Sequence, residues 1–501
     1  MKDFSRYLQQ FLNCVSTISG LATAIIILSL TNISMASSLI ETTFPVAESA
    51  ESQSALCWRA HGQEEAILLC LHGIQTHAGW FELLGEEMAT RHTTTYALNR
   101  RGSGPNGASR WRGDIDDWHR WIDDIRTAAT EIQKRHPGVP LYLVGVSWGA
   151  KTALGTLIAS DAKLFDGSVL IAPALATTKD PNIITRGLQK LVSAVRPASR
   201  VDLTKRLTAD DYTKCVDTQN EWLNAEDTGL LRSVTQRFLS QSAAQFKETK
   251  RNIAKVPVPV LVLFGTGDEL VNRYDSDQIL RPLRQDPPPP FGQAKLTTLL
   301  LTKLTHASIV EAPQQLAKLI HKWIEARRGS PQPANEFWLP AYATAHGIDA
   351  KTGKCTASKA DLRKKAHGIA ATGIKVKTGE ELRIRWDSSI WWQDAGLTPV
   401  PAGGSAKEHW AQKCGRHWLL LKKNQDGTPA AYFTVLAHVK QEDGGRVTTE
   451  VGFAKDSWTE EVVWKAPASG ELYLSANDST MLSPSVIFTN NTGTLRLTIT
   501  R

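Results

Sequence analysis

An apolar run, Leu141-Tyr142-Leu143-Val144, leads into Gly145-Val146-Ser147-Trp148-Gly149 and then Ala150-Lys151-Thr152-Ala153-Leu154. The run predicts a buried strand, and the small-residue stretch after it predicts a helix. Glycines two positions before and after Ser147 mark a sharp, strained turn, because side chains there would meet neighbouring backbone. A strand that passes into a helix through such a turn belongs to a layered α/β sheet. It leaves the serine hydroxyl in a cleft at the top of that sheet.

The flanking sequence agrees. Between about 55 and 328, apolar runs alternate with helical patterns, which predicts βαβ units and a mostly parallel sheet. The expected core strands are Ala66–Leu71, Thr95–Leu98, Leu141–Val144, Ser168–Ile171, Val258–Phe264 and Leu296–Leu301. From about 177 to 252 the pattern is helical and polar with no evident sheet strand, which suits a cap over the cleft. After Arg327-Arg328-Gly329, the stretch Ser330-Pro331-Gln332-Pro333 reads as a linker, spanning 329–337. From 338 to 501 the texture changes to short alternating runs: Gly373–Val376, Leu382–Trp386, Trp418–Lys422 and Leu495–Ile499. Turns are expected at Thr378-Gly379, Asp426-Gly427 and Asn491-Thr492-Gly493. This part predicts an all-β sandwich.

The 501 residues carry a net charge of +8, with Lys and Arg scattered rather than clustered, so no nucleic-acid partner is expected. Lys2 and Arg6 precede an apolar stretch from Phe11 to Leu30, followed by Ser34-Met35-Ala36. That pattern predicts a signal peptide over 1–36, cleaved after Ala36, with an uncleaved N-terminal membrane anchor as its rival. Either one predicts an exported protein, periplasmic or extracellular. Cysteines should then pair in part. Cys355 with Cys414 is the expected bridge and Cys57 with Cys215 a second option, while Cys70 sits in a strand and reads as core.

Ser147 as a nucleophile needs a base, and the base needs an orienting carboxylate. The run Val260–Phe264 ends in Gly265-Thr266-Gly267-Asp268-Glu269, which delivers an acid at a strand tip. Asp268 is the better placed acid and Glu269 its rival. His306 follows the last apolar run by five positions. Serine, acid and histidine thus occur in order, each past a strand end. Two backbone N–H donors complete an oxyanion hole: Trp148 after the nucleophile, and Ile74 in the loop His72-Gly73-Ile74. Each is worth ~3 kcal/mol of transition-state stabilisation. His72 and His77 lack nearby Cys, Asp or Glu at ligand spacing, so no catalytic metal or other cofactor is expected.

On these residues, with Asn99-Arg100-Arg101-Gly102-Ser103-Gly104 and Arg135-His136-Pro137-Gly138, residues 60–325 resemble α/β-hydrolases of the monoacylglycerol lipase and lysophospholipase group. The resemblance implies hydrolysis of acyl esters by Ser147, Asp268 and His306. Family members commonly carry Asp at the place of Asn99, and Met and Gly at those of Trp148 and Ala150. The bulk of Trp148 is expected to narrow the acyl side of the pocket.

Gly470–Asp478, Asn490-Asn491-Thr492-Gly493 and Thr372–Glu380 resemble calcium-dependent galactose-binding bacterial lectins, a jelly-roll family. That implies a calcium ion held by Asp478, Asn490 and Asn491, and a galactose-type glycan, glycolipid or membrane surface as partner. Ser479–Thr489 is longer than the family's loop, and Trp391-Trp392 replace an early-loop tyrosine. Stacking on a sugar face or core packing are the two roles open to those tryptophans. The leading reading is an exported serine ester hydrolase with a surface-binding β-module. A carbohydrate-binding protein on an inactive scaffold and an amide-cleaving serine peptidase are the alternatives.

Overall fold

The computed structural model describes residues 39–46, 52–104, 112–160, 164–179, 195–223, 229–285, 291–330, 333, 335–340, 370–393, 402, 434–453, 461–476 and 492–501. Ten strands come first: β1 (Leu39–Pro45), β2 (Ser52–Trp58), β3 (Ala66–Leu71), β4 (Thr93–Leu98), β5 (Leu141–Val146), β6 (Gly167–Ile171), β7 (Arg200–Asp202), β8 (Ser233–Thr235), β9 (Val260–Gly265) and β10 (Leu296–Leu301). Eight of them lie side by side in the order β1-β2-β4-β3-β5-β6-β9-β10. Pairing is parallel from β4 to β10 and antiparallel on both sides of β2. This is the α/β-hydrolase sheet.

Its strands are apolar on both faces because both are covered. Leu68, Cys70, Val144, Leu261 and Leu299 pack against the helices Glu82–Ala89 and Pro313–Arg327. Ile67, Leu69, Leu143, Val262 and Leu300 face the helices His119–Arg135 and Gly149–Ala159. All six expected core strands are present. The sheet also extends to β1 and β2, whose polar edge residues hid them. The cap region is not strand-free either, since β7 and β8 pair as a short ribbon.

Nine more strands follow: β11 (Glu336–Pro340), β12 (Ala370–Val376), β13 (Glu381–Trp386), β14 (Ile390–Gln393), β15 (Val435–Lys440), β16 (Arg446–Glu450), β17 (Glu461–Lys465), β18 (Gly470–Ala476) and β19 (Thr492–Thr500). They form two antiparallel layers. β19 pairs with β11, β14 and β13, and β13 with β17, while β12-β18-β15-β16 make the facing sheet. Leu382, Ile384, Trp386, Leu495 and Leu497 meet Val435, Ala437, Val439, Leu472 and Leu474 in one core. Thr492 and Gly493, expected in a turn, open β19 instead. Trp418–Lys422, Cys355 and Cys414 lie outside the described residues.

The two parts share a sheet. β14 adds antiparallel to the edge of β10, with Leu300 opposite Trp391 and Leu301 opposite Ile390. Phe291 stacks on Trp338 at 3.8 Å, and Glu336 accepts from Lys322 at 2.5 Å and Arg496 at 2.9 Å. Trp392 is fully buried in the sandwich core, and Trp391 packs against both cores at the junction. Both tryptophans thus take the packing role, Trp392 wholly and Trp391 in part. Cys57 and Cys215 are free thiols, one buried and one exposed, which corrects the second disulfide option. Cys70 is fully buried, as its strand position predicts. No described helix is long and apolar enough to cross a membrane.

Candidate active site

β5 ends in the turn that carries Ser147, whose φ of +54° lies in the left-handed region that L side chains avoid. The turn survives because glycines stand two positions to either side. A Cβ on Gly149 would stand 2.3 Å from the Leu71 carbonyl oxygen, and one on Gly145 2.7 Å from Ala150 Cα. Close approach of backbone is what the glycines permit. Ser147 N–H donates to Ile171 O at 3.0 Å, and Ser147 O accepts from Ala174 N–H at 3.2 Å, which fixes the strained residue to β6 and its loop.

Asp268 follows β9 and His306 follows β10, so adjacent strands bring them to one edge. His306 Nε2 lies 2.8 Å from Ser147 Oγ, and His306 Nδ1 2.9 Å from Asp268 Oδ2. Asp268 Oδ1 accepts from the N–H groups of Leu270 and Val271 at 2.9 and 3.0 Å, so the carboxylate is aimed before the imidazole arrives. Glu269, the rival acid, instead faces Lys214 at 3.3 Å on the surface. The chain Ser–His–Asp can pass a proton from the hydroxyl to the imidazole and stabilise the resulting cation. All three side chains are nearly buried.

The loop His72-Gly73-Ile74 runs beside the turn, with the Cβ position of Gly73 3.6 Å from Ser147 Cβ. Its histidines serve structure. His72 Nδ1 bonds Gly73 O at 2.7 Å and its Nε2 accepts from Arg100 N–H at 3.1 Å. Burial, with Arg100 nearby, holds this imidazole well below the ordinary histidine range, so it is neutral. His77 Nδ1 accepts from Gly79 N–H at 3.1 Å. No metal-holding group of His, Cys, Asp or Glu occurs among the described residues. Asn99 uses both ends of its amide, accepting from Ala78 N–H at 2.9 Å and donating to Ser54 Oγ at 3.0 Å. A carboxylate there would supply only the acceptor.

Trp148 is placed differently from the expectation. Its indole N–H donates to Ser242 Oγ at 2.7 Å, and its ring packs on Trp121 at 4.9 Å and Phe238 at 5.7 Å. It therefore anchors the cap helix Gln236–Arg251 and stays out of the Ser147 cleft. The cleft is lined by Thr76, Trp80, Phe81, Val146, Tyr212, His306 and Ile309 around Ser147. Sequence reading missed Trp80 and Tyr212. Tyr212 comes from the cap, packs edge-on to His306 at 5.2 Å and donates its hydroxyl to Gln75 Oε1 at 2.8 Å. Asp478, Asn490 and Asn491 lie outside the described residues.

Comparisons with known proteins concern this same part of the chain. Residues 62–286 match the family model Hydrolase_4, described as serine aminopeptidase S33. A monoglyceride lipase homolog of monkeypox virus is 24% identical over 215 residues, 42% of this chain and 74% of that protein. Human monoglyceride lipase is 25% identical over 224 residues, covering 44% and 72%. The solved structure of a monoglyceride lipase from Saccharomyces cerevisiae aligns with a TM-score of 0.48 at 15% identity, covering 57% of this chain and 96% of that one. The family match ends before His306, which only the fold returns to Ser147.

Proposed function

We propose that the chain is a serine hydrolase of carboxylic esters, acting on monoacylglycerols, lysophospholipids or similar acyl esters. The observation that carries this is the hydrogen-bonded chain from Ser147 through His306 to Asp268, set in a cleft of Trp, Phe, Val and Ile side chains. Ser147 Oγ attacks the ester carbonyl carbon as His306 Nε2 takes its proton, and Asp268 supports the imidazolium. The N–H groups of Ile74 and Trp148 receive the oxyanion. The tetrahedral intermediate collapses by breaking the bond to the alcohol oxygen, which takes the proton from His306. Water then repeats the sequence on the acyl-enzyme. No cofactor enters any step.

The family model's description favours a second reading, release of N-terminal residues by amide cleavage. Such a substrate carries an ammonium group that a nearby carboxylate would hold. Among the described residues, Trp80, Phe81, Val146 and Ile309 give the cleft an apolar wall, which supports the ester. A fluorophosphonate probe on the wild type and Ser147→Ala, with p-nitrophenyl esters and aminoacyl amides as substrates, separates these readings. We expect labelling and ester turnover in the wild type only, with kcat down ~10⁶-fold in the variant. Labelling that persists in Ser147→Ala removes the nucleophile assignment, and silence of the wild type supports an inactive scaffold.

The N-terminal pattern at Lys2, Arg6 and Phe11–Leu30 supports export, and the β-sandwich supports a glycan- or surface-binding role that would concentrate the enzyme near substrate. Asp478, Asn490 and Asn491 offer one carboxylate and two amide oxygens, hard donors suited to calcium. Glycan-array binding with and without EDTA tests this, and no binding in either condition ends it.

A further inference from the structure

Arg100 is buried directly behind the Ser147 turn, at 8% exposure. Its Nη1 donates to Gly73 O at 3.1 Å and its Nη2 to Ile74 O at 2.9 Å. Its guanidinium carbon lies 4.5 Å from the ring centre of Trp148 and 5.4 Å from that of Phe238. No carboxylate among the described residues forms an ion pair with it. A buried cation without a counter-ion is costly and persists only where polar groups and aromatic faces hold it.

The contact with Gly73 O is the informative one. That oxygen belongs to the peptide group whose N–H is Ile74's, and in a trans peptide the two point in opposite directions. The guanidinium on the oxygen, beside the His72 Nδ1–H that donates to it at 2.7 Å, fixes the plane of this peptide from behind. It also draws electron density away from the nitrogen, which strengthens the N–H as a donor. The same guanidinium lies over the ring of Trp148, the residue carrying the other donor. We propose that Arg100 is the positioning residue of the oxyanion hole, orienting and polarising the Gly73–Ile74 peptide so that its N–H meets the oxyanion formed at Ser147. Burial pulls this guanidinium down to about 9, so it remains a cation at neutral pH. The inference rests on the serine hydrolase reading.

The test compares the wild type, Arg100→Lys and Arg100→Gln on one p-nitrophenyl ester, and against a trifluoromethyl ketone of matching acyl chain. That ketone adds Ser147 and carries the oxyanion, so its Ki reports the hole directly. The lysine keeps the charge but not the two-armed grip, and serves as the folded comparison should the glutamine fail to fold. We expect kcat to fall ~3–10-fold in Arg100→Lys and ~10–100-fold in Arg100→Gln. The ketone Ki should rise by the same factors while KM stays within about twofold. A folded Arg100→Lys with unchanged kcat and Ki overturns the inference, as does a loss confined to KM or matched by the unfolded fraction. Ser147→Ala run alongside keeps the outcomes apart: if it hydrolyses the ester as fast as the wild type, the serine hydrolase reading has failed rather than this one.

Discussion

Ser147, Gly149 and Trp80 show how single positions set the chemistry. Gly149 has no freedom to grow, because the Leu71 carbonyl stands 2.3 Å from where its Cβ would be. Gly149→Ala must push the turn away from β3 and move the Trp148 N–H, and a shift near 1 Å can cost ~10²-fold in rate. We expect kcat to fall by about that factor with KM little changed, measured on a short p-nitrophenyl ester. Trp80 lines the cleft and leans on Trp222 at 5.6 Å. Trp80→Ala opens that wall, so preference along a p-nitrophenyl ester series should move toward longer acyl chains. An unchanged series would place the acyl group elsewhere. The glycines, serine, acid and histidine were legible in the sequence because their residue types answer to local geometry. Arg100 was not: a charged loop residue reads as exposed until its carbonyl partners, from a separate loop, are in place.

Helices and strands carry these residues to one another. The cap helix Gln236–Arg251 is tied down through Ser242 to Trp148 and through Gln245 to Lys151 O at 2.8 Å. The short helix Ala209–Tyr212 reaches over the cleft, where Tyr212 O accepts from Ala307 N–H at 3.1 Å. Tyr212 thereby links the His306 loop to Gln75, next to the oxyanion loop. Tyr212→Phe leaves the buried Gln75 oxygen without its donor, a loss of ~1–3 kcal/mol. We expect a lower melting temperature and a several-fold drop in kcat/KM; equal values would show the link to be idle. Buried parallel strands were legible as continuous apolar runs. β1 and β2 were not, because an edge of the sheet tolerates the polar residues that broke the pattern. β7 and β8, three residues each, are too short to show a period.

The molecule is joined by one sheet that runs from β1 through β10 into β14 and on to β17. Thr302, four residues before His306, donates its N–H to Ser389 O at 3.0 Å, so the β-sandwich touches the histidine loop at its root. Glu336 clamps the junction. Burial pushes its carboxyl up, but the hydrogen bonds from Lys322 and Arg496 outweigh that and hold it below the ordinary glutamate range. A carboxyl depressed in the folded state stabilises above its unfolded value of about 4.3, and that contribution is lost as pH falls through the folded value. Thermal melts should therefore weaken on the acid side. Glu336→Gln should lower stability by on the order of 2 kcal/mol at pH 7 and flatten that acid limb. A variant that melts like the wild type at both pH 7 and pH 4 would remove the clamp.

Sequence alone established the α/β layering, the order of Ser147, Asp268 and His306, and a second, β-rich part, because each rests on short-range pattern or residue type. Tertiary structure decided the rest. It turned Trp148 from the acyl pocket toward the cap, put Trp80 and Tyr212 around the cleft, and joined the two parts through a shared sheet. Those outcomes depend on contacts between residues dozens to hundreds of positions apart, and no local period encodes such contacts. The elbow of β5 could be read from its glycines; the groups that aim at its serine could be read only from the packed molecule.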